Sequence, residues 1–137
     1  MKTARDLMTA PAECLAPDDS LVEAARLLGR HDVGSMPVVE EDTLVGVLTD
    51  RDIVVRGVAE GLDPAQTRVA AVMSANVVTV EADADALAVA GVLAANQIRR
   101  VPVVEGDKVV GVVSQADVAL ELDNATAGEV VEDISRK

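Results

Sequence analysis

The sequence predicts an α/β fold made of two copies of one small unit, and three observations predict it. Shifting the chain by 65 residues aligns it with itself without a gap: Met8 falls on Met73, Ala25 on Ala90, Leu28 on Leu93, Pro37 on Pro102 and Asp52 on Asp117. Each copy runs from a helical apolar period into two short apolar runs split by turn residues, a helix followed by a hairpin. A unit of about 55 residues buries too little surface by itself, so the copies are expected to pack face to face about a pseudo-twofold axis.

Each element follows from local sequence. Residues 3–8 and 67–73 are short helical lead-ins, followed by extended stretches at 13–15 and 77–80. Ser20 and Glu23 have the Ser-x-x-Glu spacing of a capping box, and Leu21, Ala24, Ala25 and Leu28 mark one face of the helix it opens. Leu87, Ala90, Val92 and Leu93 are the corresponding face in the second copy. MPVVE and TLVGVL flank Glu41-Asp42, and VPVVE and KVVGVV flank Gly106-Asp107, so each pair reads as a hairpin. A second helix begins at Thr49 or Ser114 and is expected to send Ile53 and Val54, or Val118, into the core. Each repeat is thus a three-stranded sheet with packed helices. The first spans 3–58 and the second 67–122; the connector between them, 59–66, lies in the Gly- and Pro-containing stretch GVAEGLDPAQ. The tail, 123–137, has a thin apolar face, and a helix there would lean on tertiary packing.

Composition narrows the function. Half of the 137 residues are hydrophobic, yet none is Phe, Tyr or Trp, so no aromatic ring is present to stack on a base. The formal net charge of −12 argues against binding a phosphate backbone, which draws its affinity from Lys and Arg. No nucleic-acid partner is expected. With a single cysteine, Cys14, and a single histidine, His31, the chain can form no intrachain disulfide and lacks the donors of an ordinary zinc site. Cys14 reads as a small buried packing residue, with a redox or intermolecular role as the alternative. His31 reads as a helix-end or interface residue, with a ligand contact as the alternative. No apolar run approaches the roughly 18 residues a membrane span needs, and the N-terminus has no signal-peptide core. The expectation is a cytoplasmic protein with no membrane partner.

LVGVLTDRD and its echo VVGVVSQAD share only a hydroxyl and a final Asp after the apolar run. Thr49 and Ser114 stand where a strand turns into a helix, a place suited to capping and to phosphate. Asp52 and Asp117, three residues on, can accept hydrogen bonds from the two vicinal hydroxyls of a ribose. They can equally cap their own helices. Arg99 and Arg100 replace Gly34 and Ser35 in the second copy. They read either as a solvated strand start or as a phosphate contact, where guanidinium forks are well matched.

An apolar residue before Pro at 36-37 and 101-102, followed by Gly-apolar-apolar-Thr/Ser-x-x-Asp at 46–52 and 111–117, resembles the CBS domain. Two in tandem resemble a CBS pair, or Bateman module, over residues 3–122. TARDLM, HDVGSMP, LTDRDIVVRG, GLDP and RRVPV are similar to bacterial stand-alone CBS-pair proteins of the hypoxic-response type, a stress-response group. The resemblance implies adenosine-containing ligands, among them AMP, ADP, ATP or S-adenosylmethionine, bound in clefts between the repeats, with no cofactor required. It implies one site using Ser114, Asp117 and Arg99 with Val33, Gly34 and Ser35 at the base. The other would use Thr49, Arg51 and Asp52 with Ile98 and the backbone near Arg99 and Arg100. The two are expected to be unequal, because Asp50 and Arg51 correspond to Gln115 and Ala116.

The expected function is a non-catalytic ligand sensor that signals through a homodimer of CBS pairs or through a protein partner whose identity the sequence does not give. The alternative is a ligand-free interaction or scaffold protein that keeps the motif for folding. Catalysis lacks a nucleophile or a companion base beside Asp52 and Asp117, so no enzyme is expected.

Overall fold

In the computed structural model, residues 1–124 are described, and the tail expected beyond them lies outside that range. The elements in chain order are α1 (Ala4–Leu7), α2 (Leu21–His31), β1 (Ser35–Glu40) and β2 (Thr43–Thr49). Next come α3 (Asp50–Asp52, continued by a π-helical stretch Ile53–Val58), α4 (Val69–Val72), β3 (Val80–Glu81) and α5 (Ala86–Asn96). The hairpin of β4 (Arg100–Glu105) and β5 (Lys108–Ser114) follows. A last helix, α6, occupies 115–124.

Both long helices start on a side-chain cap and stop on a left-handed residue. Ser20 Oγ accepts the Glu23 N–H at 3.1 Å, and Asp85 Oδ1 accepts the Ala88 N–H at 2.9 Å. Asp32 and Gln97 take φ of 52° and 53° at the C-terminal ends, which turns the chain out of the helix. The first hairpin turns through Glu41 and Asp42, both at positive φ, so the loop twist matches that of its strands. Gly106 supplies the positive φ in the second.

The described residues divide into two compact units: Glu13–Val77 with Asp107–Val109, and Met1–Ala12 and Val78–Gly106 with 110–124. In the 13–77 unit β1 and β2 are antiparallel, with Met36 opposite Leu48 and Pro37 opposite Val47. Leu15 joins Val38 by a parallel bridge, and Thr43 pairs with Lys108. In the other unit β5, β4 and β3 are neighbours. β3 runs parallel to β4, as a strand–helix–strand crossover through α5 requires.

The lead-in helices reveal that the packing unit differs from the repeat read along the chain. Val69 and Val72 of α4, which begin the second repeat, are buried with Leu15, Leu21, Leu28, Val38 and Leu48 of the first. Ala4 of α1 is buried with Val89, Leu93, Val101, Val103 and Val118. Backbone bonds tie each lead-in to the start of the long helix it covers. Val69 N–H donates to Asp19 O at 2.8 Å and Leu21 N–H to Thr67 O at 3.0 Å; Ala4 N–H donates to Ala84 O at 2.7 Å and Ala86 N–H to Lys2 O at 3.1 Å.

Some expected core faces are displaced. Leu21, Ala24 and Leu28 are buried as expected, but Ala25 is exposed. In α5 the buried positions are Ala86, Val89 and Leu93, while Leu87 is 60% exposed. ALAVAGVLAAN has no charged residue to mark its wet side, so its sequence could not orient it. Val118 is buried, and Ile53 packs against the core of its unit, but Val54 is 57% exposed. From Ile53 the helix widens to i→i+5 bonding, with Ala59 N–H donating to Val54 O at 2.8 Å. That turns the following residues away from where an α-helical period would place them.

Candidate functional site

Thr49 ends β2 in extended conformation, with φ −112° and ψ 160°, and the next residue is helical, so its hydroxyl and N–H face the first turn of α3. The Asp52 N–H donates to Thr49 Oγ1 at 3.0 Å, and the Thr49 N–H donates to Asp52 Oδ2 at 3.0 Å. Ser114 and Asp117 repeat both bonds at 3.2 Å. All four residues are half-buried. The capping role is therefore present in full in both units. It engages one oxygen of each carboxylate. A carboxylate has lone-pair sites for about four hydrogen bonds, so each Asp retains acceptor capacity on Oδ1 for a ribose hydroxyl.

The segment before each apolar-Pro pair lies against the motif of its own unit. Gly34 O accepts the Asp50 N–H at 2.9 Å, and Arg99 O accepts the Gln115 N–H at 2.7 Å. Val33, Gly34 and Ser35 thus stand beside Thr49, Arg51 and Asp52, and Ile98, Arg99 and Arg100 beside Ser114 and Asp117. Val33, Ser35 and Ile98 are half-buried; Gly34, Arg51, Arg99 and Arg100 are exposed. All three arginines can reach an anion without first being desolvated.

Asp50, which the sequence marked as one source of inequality between the motifs, takes a position that the sequence did not give. Its Oδ1 accepts the Arg51 N–H at 2.8 Å, and its Oδ2 lies 3.4 Å from where a Cβ on Gly34 would be. A carboxylate therefore lines the open side of Gly34, at ordinary contact distance from where a side chain would start. The signal was available in the self-alignment, where Asp50 falls on neutral Gln115.

A methionine from a lead-in packs on the glycine three residues before each motif hydroxyl. Met73 lies on Gly46 of β2 and Met8 on Gly111 of β5. Reciprocal bonds fix the same crossings: Val47 and Ser74 exchange two at 2.9 Å, and Thr9 and Val112 two at 2.9 and 3.1 Å.

His31 is exposed at the end of α2, with Nε2 3.7 Å from Glu13 Oε2. Half-buried Cys14 has its thiol pushed up to about 11, first by burial and then by the charges of Glu13 and Asp42. Among the described residues no three of His, Cys, Asp and Glu are grouped to hold a metal ion. No helix among them is long and apolar enough to cross a membrane.

The sequence profile of the CBS domain matches residues 4–57 and 69–124. Hypoxic response protein 1 of Mycobacterium tuberculosis is 39% identical over 123 residues, covering 89% of this chain and 86% of that protein. Its crystal structure, which holds two coordinated zinc ions, superposes with a TM-score of 0.79 over 86% of this chain and 97% of that one. The CBS domain-containing protein YhcV of Bacillus subtilis is 38% identical over 138 residues, covering 100% of this chain and 98% of that protein. The CBS domain pair of protein MJ0100, solved with 5′-methylthioadenosine and S-adenosyl-L-methionine, is 28% identical with a TM-score of 0.77, over 91% of this chain and 98% of that one. The zinc of the first structure finds no matching three-donor group among the described residues here.

Proposed function

The chain belongs to the CBS-domain family, and from that premise we propose that it is a regulatory module that binds an adenosine-containing ligand of the AMP, ADP or ATP class. The observation that carries this reading is the hydroxyl–carboxylate pair at each helix start, Thr49 with Asp52 and Ser114 with Asp117, whose caps leave one carboxylate oxygen able to accept from a ribose. The adenosine ligands of the MJ0100 pair support the ligand class. In this reading Arg99 and Arg100 meet phosphate, Arg51 borders the ligand at the Thr49–Asp52 motif, and Val33, Gly34, Ser35 and Ile98 receive the base.

The module signals by association, as a homodimer of CBS pairs or with a protein partner, in the cytoplasm. Val54, Val55 and Val58, exposed together on α3, are the apolar surface available for that contact. The reading assigns no chemistry to Asp52 or Asp117 beyond binding, and the module is not an enzyme.

The completed capping boxes favour a second reading, a ligand-free interaction protein in which the motifs serve folding alone. Thermal unfolding followed by circular dichroism separates the two. A ligand at about 100 times its dissociation constant adds about 2.7 kcal/mol, which raises Tm by several degrees in a domain this small. AMP, ADP, ATP and S-adenosylmethionine are each tested. Asp117→Ala should reduce the shift. If no adenosine compound moves Tm, the scaffold reading replaces the sensor.

A further inference from the structure

The two motifs have the same caps but opposite charge around them. Beside Thr49 lie two carboxylates, Asp50 and Asp52, and one exposed guanidinium, Arg51. Beside Ser114 runs the segment that carries two exposed arginines, Arg99 and Arg100, with one carboxylate, Asp117, in the motif itself. The asymmetry is structural as well as compositional. Asp50 is held by the Arg51 N–H at 2.8 Å, with its other oxygen over Gly34, so its charge is fixed at the mouth of the Thr49 motif. Gln115, the aligned residue, brings no charge, although its backbone makes the same bond to the segment before the apolar-Pro pair.

We propose that Asp50 is a specificity residue that bars phosphate from the Thr49–Asp52 motif, so that this motif takes an unphosphorylated ribonucleoside while the Ser114–Asp117 motif takes the 5′-phosphorylated one. The inference rests on the nucleotide-binding reading above. A phosphate entering beside Thr49 meets a like charge that cannot swing away without giving up its bond to the Arg51 N–H, and like charges brought together at a binding site oppose association. It also finds that N–H already engaged. A nucleoside presents only neutral hydroxyls there, and the Asp52 carboxylate accepts them equally well. Beside Ser114 the same phosphate meets two guanidiniums that form charge-assisted bonds. Screening over about 8 Å at physiological salt leaves these neighbours dominant over the acidic surface as a whole.

The test is isothermal titration of the full chain with AMP and, separately, with adenosine. Wild type should bind one AMP tightly and admit adenosine at a further site that AMP does not compete for. Asp50→Asn keeps the shape and removes the charge, and should open that further site to AMP with about a tenfold or greater gain in affinity, equivalent to about 1.4 kcal/mol. The reciprocal Gln115→Asp, at an exposed position, should weaken the tight AMP site by a comparable factor while leaving adenosine binding in place. Two equal AMP sites in wild type, or an Asp50→Asn protein whose AMP stoichiometry and affinity are unchanged, would overturn the charge division while leaving the nucleotide reading intact. Binding of neither AMP nor adenosine would sink both.

Discussion

Met73 lies on the bare backbone of Gly46, so close that a Cβ added there would sit 2.7 Å from its sulfur. The carbonyl of Ser74 would be 2.9 Å from the same atom, and that carbonyl is pinned by the bond to Val47. Gly111 meets Met8 and the Thr9 carbonyl in the same way. A methionine can swing aside, but the backbone oxygen cannot. Gly46→Ala and Gly111→Ala should therefore each destabilise the protein by about 1–3 kcal/mol, and adding Met73→Ala to the first should not restore it. Urea unfolding followed by circular dichroism gives the answer; recovery in the double variant would place the conflict on the sulfur instead.

The face of α5 is testable by a pair of leucines. Leu93 is 4% exposed and Leu87 is 60% exposed. Leu93→Ala should cost about 2–5 kcal/mol through lost burial and the cavity left behind. Leu87→Ala should lie within about 0.5 kcal/mol of wild type. Reversed values in the same urea titration would show that the helix is turned the other way.

These two helices also show what was legible in the sequence. The start of α2 was readable because Ser20 and Glu23 are a local chemical signal, and its face, except for Ala25, because charged residues alternate with apolar ones. The α5 face was not, since a helix of Ala, Val and Leu looks alike all round. The repeat itself was evident from spacing, but spacing carries no information on which core a short lead-in enters, which is set by backbone bonds such as Val69 to Asp19. At the candidate site, Thr49-x-x-Asp52 was legible as a pair. The seat of Asp50 over Gly34 was not, because it depends on a contact across 16 residues of chain.

Asp6 gives a pH signature. Bonds from the Thr3 backbone N–H and then the Thr3 hydroxyl hold its carboxyl below the ordinary value of 3.8. A depressed carboxyl pKa favours the folded state above the unfolded pKa, and that contribution fades as pH falls through the folded value. Asp6→Asn should remove this part of the acid-side slope of stability. A carboxyl NMR titration should place the Asp6 midpoint below 3.8; a midpoint at or above it would contradict the cap.

Cys14 should behave in the opposite sense at alkaline pH. Its thiol is raised from 9.0 to about 11, so between those values the unfolded chain ionises while the folded one does not. The folded state binds more protons there, and stability falls as pH rises from about 9 to 11. Iodoacetamide should label native Cys14 slowly at pH 8, because the thiolate is the reactive form, and rapidly after unfolding. Equal labelling rates in the native and unfolded protein would remove the case for a shielded thiol.

The crossed lead-ins reach beyond packing. A gene divided in the connector would yield two fragments, each beginning with a cover that fits the other fragment's core: Ala4 would leave with the half that has no use for it, and Val69 and Val72 likewise. Neither half is then a portable module, and recombination at that boundary exchanges lids rather than domains. The heritable unit is the pair.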